Sequence, residues 1–87
     1  MRQYRSETRK PTNEVADLSW EIGAGYVRTG KATVQDSSPS GMGLMVASPF
    51  TVGTTLQITI GTKQCTAVVR RCIKQGSQHL LGVKFER

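Results

Sequence analysis

Residues 36–46 read Asp-Ser-Ser-Pro-Ser-Gly-Met-Gly-Leu-Met-Val, a cluster of turn-forming residues followed by a short apolar run. Proline fixes its own φ, and Asp and Ser side chains hydrogen-bond to the nearby backbone, so such clusters form turns for local reasons. The segment from Gly43 to Val46 has the length and composition of a buried strand. On the other side of the cluster, Ala32 and Val34 alternate with polar residues. The stretch therefore predicts a turn between two strands.

The alternation of apolar and polar residues recurs along the rest of the chain. It occurs at Leu18, Trp20 and Ile22, at Leu56, Ile58 and Ile60, and at Leu81, Val83 and Phe85. A period of two predicts strands that each have one buried face. The glycines that stand between these segments, as expected of hairpin turns, are Gly23, Gly25, Gly30, Gly53, Gly61 and Gly76.

Two segments have a less regular pattern. The one that begins at Asn13 is also compatible with a short capped helix, but a strand is preferred because Trp20 then joins the same apolar face. In residues 65–73 the apolar face switches partway along, which predicts a β-bulge near Val68 and Val69.

The chain is 87 residues long, which is enough for one domain. A domain of this size buries only about 60% of its unfolded surface, so function is expected on the surface or in a shallow groove. Several short strands in so few residues close into a small barrel, because closure removes exposed edges. The first dozen residues fit no strand pattern. We predict an all-β fold, a small β-barrel over residues 13–87 preceded by a flexible basic N-terminal arm over residues 1–12.

The charge of the chain is strongly positive, with 12 Lys and Arg residues against 6 Asp and Glu residues and a net charge of +6. The excess lies at the two ends, in the arm and in residues 61–87. Basic ends attract an anionic partner, and a nucleotide, a nucleic acid or an acidic membrane surface all qualify.

No signal peptide or membrane span is expected. The start of the chain is polar, and the longest uncharged stretch, residues 37–62, is interrupted by Gly, Pro, Ser and Thr. A spanning helix needs ~20 mostly apolar residues. We therefore expect a cytoplasmic protein without membrane insertion.

Two short motifs carry the chemistry. Arg5 and Arg9 offer planar forks of donors that bridge phosphate oxygens, bind the O6 and N7 edge of guanine, or stack on a base. The carboxylate of Asp36 is a natural acceptor for the N1 and N2 donors of guanine, the hydroxyl of Ser38 is an adaptable donor, and a glycine such as Gly41 lets the backbone approach a ligand or adopt a positive φ. Each motif alone also fits a plainer interpretation, a solvated basic arm for the first and a turn for the second.

Together the motifs resemble the PilZ domain family. RxxxR near the start, DxSxxG with the strand after it, and the closing segment Leu81-Gly-Val-Lys-Phe follow that family's order over essentially the whole chain. The resemblance implies a six-stranded antiparallel barrel that binds cyclic di-GMP at the two motifs. It also implies roles for the motif residues: Arg5 and Arg9 contact phosphates and guanine faces, at least one of them stacks on a base, Asp36 and Ser38 bind the guanine edge, and Gly41 shapes the turn.

The resemblance further implies a receptor and not an enzyme. PilZ proteins pass the signal on by protein contact in the control of motility, exopolysaccharide synthesis and biofilm formation. The expected partners are cyclic di-GMP and an unidentified downstream protein, with no DNA, cofactor or metal. The chain ends at Arg87, so the C-terminal helix of many PilZ domains is expected to be absent. Tyr4, just before the first motif arginine, leaves open whether one ligand or an intercalated pair is bound.

Two other functions remain as alternatives. A small basic barrel also binds single-stranded nucleic acid, but such folds display several aromatic rings for base stacking, and Trp20 and Phe85 are expected in the core. A PilZ-like interaction module that binds no ligand is disfavoured because the motif residues are intact.

The remaining reactive side chains suggest no catalysis. Cys65 and Cys72 have no metal-binding spacing and are expected to be buried thiols without a disulfide. His79 has no second base or nucleophile near it in the sequence. Arg70 and Arg71 are adjacent on a strand, so they are expected on opposite faces, with a solvated face preferred for either.

Overall fold

The computed structural model describes residues 10–11 and 13–86, with side chains from residue 13 onward. The strands are β1 (Lys10–Pro11), β2 (Val15–Gly23), β3 (Tyr26–Ser38), β4 (Gly41–Val46), β5 (Thr55–Ile60), β6 (Lys63–Gln75) and β7 (Gln78–Phe85). Among residues 10–11 and 13–86, no helix has the length and hydropathy needed to cross a lipid bilayer.

Six of the strands close into a barrel. Hydrogen bonding follows the order β3-β2-β5-β6-β7-β4, and β4 pairs back to β3. All these pairings are antiparallel. The all-β, six-stranded antiparallel barrel predicted from the sequence is therefore confirmed. The short β1 pairs with Asp36 and Ser37 of β3, beyond the part of β3 that pairs with β2. The sequence pattern did not predict this strand.

The core consists of inward-facing aliphatic side chains from all six barrel strands. The largest fully buried ones are Leu44, Leu56, Ile58, Leu81, Val34 and Val69. Each contributes roughly 1.5–3 kcal/mol relative to an exposed position. The period of two in the sequence predicted the inward positions of Val34, Leu56, Ile58 and Leu81 correctly.

The β2–β3 hairpin departs from the predicted pattern at its end. β2 begins at Val15 as a strand, which excludes the alternative of a helix from Asn13. Only three residues of β2 pair with β5, so the end of the hairpin extends past the barrel wall. Ile22 was predicted to share the buried face of Leu18 and is instead 52% exposed.

Gly30 lies within β3 and not at the turn predicted for it. An ideal Cβ at this position would stand 3.3 Å from the Trp20 ring. Because Gly30 has no side chain, Trp20 can lie across β3 and pack against Phe50, with the ring centroids 4.6 Å apart. Trp20 thus joins the edge of the core, as predicted.

Candidate ligand-binding site

Asp36 is turned to the outside of the barrel by an irregularity in β3. Ala32 and Val34 face the core, so regular alternation would point Asp36 inward as well. The pairing with β4 shifts between Val34 and Asp36, and Gln35 is the extra residue of this β-bulge. A bulge re-aims the side chains that follow it. The Asp36 carboxylate consequently lies over Gly43, with Oδ1 3.3 Å from an ideal Cβ there.

Ser38 and Gly41 flank the tight turn between β3 and β4. They are paired across it, which leaves Pro39 and Ser40 at the turn. The Ser38 hydroxyl donates to the Gly41 carbonyl oxygen at 3.4 Å. A hydroxyl that donates keeps its acceptor lone pairs, so Ser38 can still accept a hydrogen bond from a ligand. The turn predicted from the sequence is confirmed.

Gly41 is required by the packing of the backbone. Its φ is not positive. An ideal Cβ on Gly41 would collide with the carbonyl oxygen of Val83 and stand 3.4 Å from Cα of Lys84. The backbone that approaches Gly41 is therefore that of β7, to which β4 is hydrogen-bonded here.

The N-terminal segment joins the barrel beside these residues. Lys10 and Pro11 in β1 pair with Ser37 and Asp36 in β3. The other half of the predicted site, the arginines of the RxxxR motif at positions 5 and 9, lies outside the described residues. Their role in binding, like the division of the chain at residue 12, stays a prediction.

Arg71 lies on the same outer surface as Asp36. Adjacent residues on a regular strand face opposite ways, but the pairing of β6 with β7 shifts between Val69 and Arg71, and Arg70 and Arg71 are both exposed. The bulge predicted in this segment is thus confirmed, and the expectation of opposite faces was wrong because of it. The Arg71 guanidinium lies over Gly82, with Nε 3.3 Å from an ideal Cβ.

Asp36 and Arg71 are the two ends of a row that crosses four strands. Gly43 and Gly82 lie between them and are paired with each other across β4 and β7. We call these four residues the outer row. Since the two glycines carry no side chains, the opposite charges at its ends are separated by a shallow depression.

The two cysteines are free and only partly buried. The prediction of buried thiols was therefore wrong in degree, because both lie on strands at the margin of the small core. Burial raises the pKa of the Cys65 thiol. In the part of the chain that the structure describes, no group of His, Cys, Asp and Glu side chains is arranged to hold a metal ion.

The comparison with protein families decides the assignment. The PilZ domain model matches residues 3–87, nearly the whole chain. The chain belongs to the PilZ domain family. The DxSxxG motif of this PilZ domain comprises Asp36, Ser38 and Gly41, at the β3–β4 turn described above. No curated protein matches the chain at a significant level.

Two solved structures have the same fold. MrkH of K. pneumonia in complex with c-di-GMP superposes with a TM-score of 0.71 at 14% identity, covering 97% of this chain and 44% of MrkH. The PilZ domain of YcgR from Escherichia coli with c-di-GMP gives a TM-score of 0.62 at 18% identity, covering 95% of this chain and 78% of that domain. This PilZ domain thus spans less than half of the MrkH chain.

This PilZ barrel also has a cavity that is larger than the depression of the outer row and lies apart from the DxSxxG motif. It measures about 550 Å³ and is lined by Trp20, Arg28 and Phe50 among others. No DxSxxG residue lines it. The candidate site is therefore assigned from the chemistry of its residues and not from cavity volume.

Proposed function

We propose that this PilZ domain is a receptor for cyclic di-GMP. The observation that carries the proposal is the outward-facing carboxylate of Asp36, which lies close to the β3–β4 turn on a residue that is paired with β1. Family membership supports it, and the compared MrkH and YcgR structures are complexes with c-di-GMP.

In this proposal the barrel recognises the base. The Asp36 carboxylate accepts two parallel hydrogen bonds from N1 and N2 of a guanine, and the Ser38 hydroxyl adds a third contact. Asp36 is half-buried. Hydrogen bonds to a charged group are strong, and partial exclusion of water strengthens them further.

The arm supplies the cations. Arg5 and Arg9 bind the phosphates and stack on a base, because guanidinium is both a planar cation and a fork of donors. The net charge of +6 attracts the doubly anionic ligand. The Asp36 carboxylate repels phosphates by like charge, so the ligand binds with its phosphates toward the arm and a guanine edge toward the barrel.

The proposed receptor catalyses no reaction and signals by contact. A ligand that bridges the arm and the barrel changes the surface that both present, and a downstream protein binds the changed surface. The processes we propose for it are those of the family, namely motility, exopolysaccharide synthesis or biofilm formation, with the domain in the cytoplasm.

Titration calorimetry with cyclic di-GMP, and separately with GMP and a short single-stranded oligonucleotide, tests this proposal. We expect tight binding of cyclic di-GMP only. Asp36→Ala and Arg9→Ala should each weaken binding by about 2 kcal/mol or more, roughly 30-fold. Asp36→Ala leaves two guanine donors without their charged acceptor, and Arg9→Ala leaves a phosphate without its cation. The matched control is Asp17→Ala, since exposed Asp17 pairs with Lys31 on β3, away from the motif.

Three outcomes would contradict the proposal. Unchanged affinity in both Asp36→Ala and Arg9→Ala would refute the site. Preferential binding of the oligonucleotide would favour a nucleic-acid-binding barrel. A folded wild-type domain that binds none of the three probes would favour an interaction module without a ligand.

A further inference from the structure

We propose that Arg71 is a further ligand-binding residue, which donates to O6 and N7 of the same guanine whose N1 and N2 bind Asp36. The inference rests on the proposed function and adds a base-reading residue that lies outside both motifs.

Two β-bulges direct these charges to one surface. If the two strands kept regular alternation, Asp36 and Arg71 would point into the core as Val34 and Val69 do. An unpaired charge in the core is strongly unfavourable. The two independent irregularities instead place a carboxylate and a guanidinium over adjacent glycines, and bulges are over-represented next to binding sites because they re-aim side chains.

The spacing of the two charges suits one base. Gly43 and Gly82 are directly opposite each other, and opposed Cα atoms in an antiparallel pair are about 5 Å apart. The Asp36 carboxylate lies 3.3 Å from an ideal Cβ on Gly43, and Nε of Arg71 lies 3.3 Å from an ideal Cβ on Gly82. Guanine presents O6 beside N1, and O6 and N7 together accept the two donors of an arginine fork. A guanine bound on the outer row therefore reaches Asp36 with its donors and Arg71 with its acceptors.

Arg71 is available for this contact. No hydrogen bond or ion pair holds its guanidinium to any residue between 13 and 86. Its donors are thus free to bind an acceptor. Ile73 and Leu80 line the same depression, and Ile73 is 45% exposed. These aliphatic side chains offer apolar contact to a base whose edges are bound by the charged residues.

A chemical change in the ligand separates base reading from general attraction. Calorimetry compares cyclic di-GMP with its 7-deazaguanine analogue, which lacks N7 and keeps the phosphates, N1, N2 and O6. The proteins are the wild type, Arg71→Ala, Arg71→Lys and the matched control Arg70→Ala, with folding checked by circular dichroism. Arg70→Ala removes the same charge one residue away.

We expect Arg71→Ala to lose at least tenfold in affinity for cyclic di-GMP, and Arg71→Lys to lose most of that, because lysine lacks the planar fork. Arg70→Ala should stay within about threefold, as expected of an exposed charge outside the contact. The wild type should bind the analogue about tenfold more weakly than cyclic di-GMP. Arg71→Ala should bind the two ligands with the same affinity as each other.

Other results overturn the inference in distinguishable ways. Wild-type affinity in Arg71→Ala, with binding lost in Asp36→Ala, refutes the role of Arg71 and leaves the proposed function intact. Equal weakening of both ligands by Arg71→Ala means a phosphate contact and refutes base reading. A wild-type protein that binds no cyclic di-GMP overturns both the inference and the proposed function.

Discussion

Replacing Gly41 by Ala is expected to lower the free energy of unfolding by about 3 kcal/mol. The added Cβ would collide with the carbonyl oxygen of Val83 and stand 3.3 Å from the carbonyl carbon and 3.4 Å from Cα of Lys84. All three atoms belong to the backbone of a paired strand, so no rotamer change relieves the clash and β4 must move away from β7. Overpacking costs about 1–3 kcal/mol, and one weakened backbone hydrogen bond adds about 1 kcal/mol.

Thermal unfolding followed by circular dichroism measures this loss. In a domain of this size 1 kcal/mol corresponds to about 4–8 °C, so the Tm should fall by roughly 12–24 °C. Gly43→Ala is the matched control on the same strand, because the atoms nearest to its Cβ belong to the Asp36 side chain, at 3.3 Å, which can rotate away. It should cost less than about 1 kcal/mol and instead weaken cyclic di-GMP binding. A Tm for Gly41→Ala within about 4 °C of the wild type would refute the packing argument.

Two further predictions concern the margins of the core. Gly30→Val should push the Trp20 ring away from Phe50 and lower the free energy of unfolding by about 1–3 kcal/mol. The fluorescence emission of this single tryptophan should shift to longer wavelength, and an unchanged spectrum would contradict the packing described. Burial raises the pKa of the Cys65 thiol above its ordinary value of 9.0. The contribution of the protonated thiol to stability is therefore fully present below pH 9.0 and is lost as the pH rises through the pKa of the folded state. Between about pH 8 and 10.5, the free energy of unfolding measured with urea should therefore fall less in Cys65→Ala than in Cys72→Ala. Equal declines in the two variants would refute this assignment to Cys65.

The inner face of the barrel could be predicted because aliphatic residues mark it directly. Leu56 and Ile58 alternate with polar neighbours in a strand whose whole length lies in the barrel wall. Ile22 has the same pattern, yet it lies past the part of β2 that pairs with β5. Alternation reports which way a side chain points, and only the topology tells whether another strand covers it.

The direction of the site residues was harder to predict. In β6, the apolar residues change from odd positions at Ala67 and Val69 to an even position at Cys72, so the bulge could be predicted from the sequence. In β3, only polar residues follow Val34 before the turn, and nothing marks the bulge that turns Asp36 outward. The resemblance to a family supplied the importance of Asp36 and the number of strands, whereas the geometry of its carboxylate came from the structure.

Arg71 could not be linked to Asp36 from the sequence, because β4 and β7 lie between them in the sheet. That neighbourhood arises only when the barrel closes. Patterns along one strand contain no information on which strands meet around it.

The closure of the barrel by β4 also shapes how it folds. β4 lies between β3 and the last strand, β7, so its two edges are satisfied only after the C-terminal part of the chain has docked. Pairings between distant parts of a chain require large loops to be closed first, which slows folding to the millisecond-to-second range. A ligand bound across the outer row contacts β3, β4, β7 and β6 and opposes the separation of β4 from β3 and β7. Binding of cyclic di-GMP, as proposed above, should therefore raise the free energy of unfolding of the whole barrel by RT ln(1 + [L]/Kd), so that the concentration of the proposed ligand also sets the stability of the folded domain.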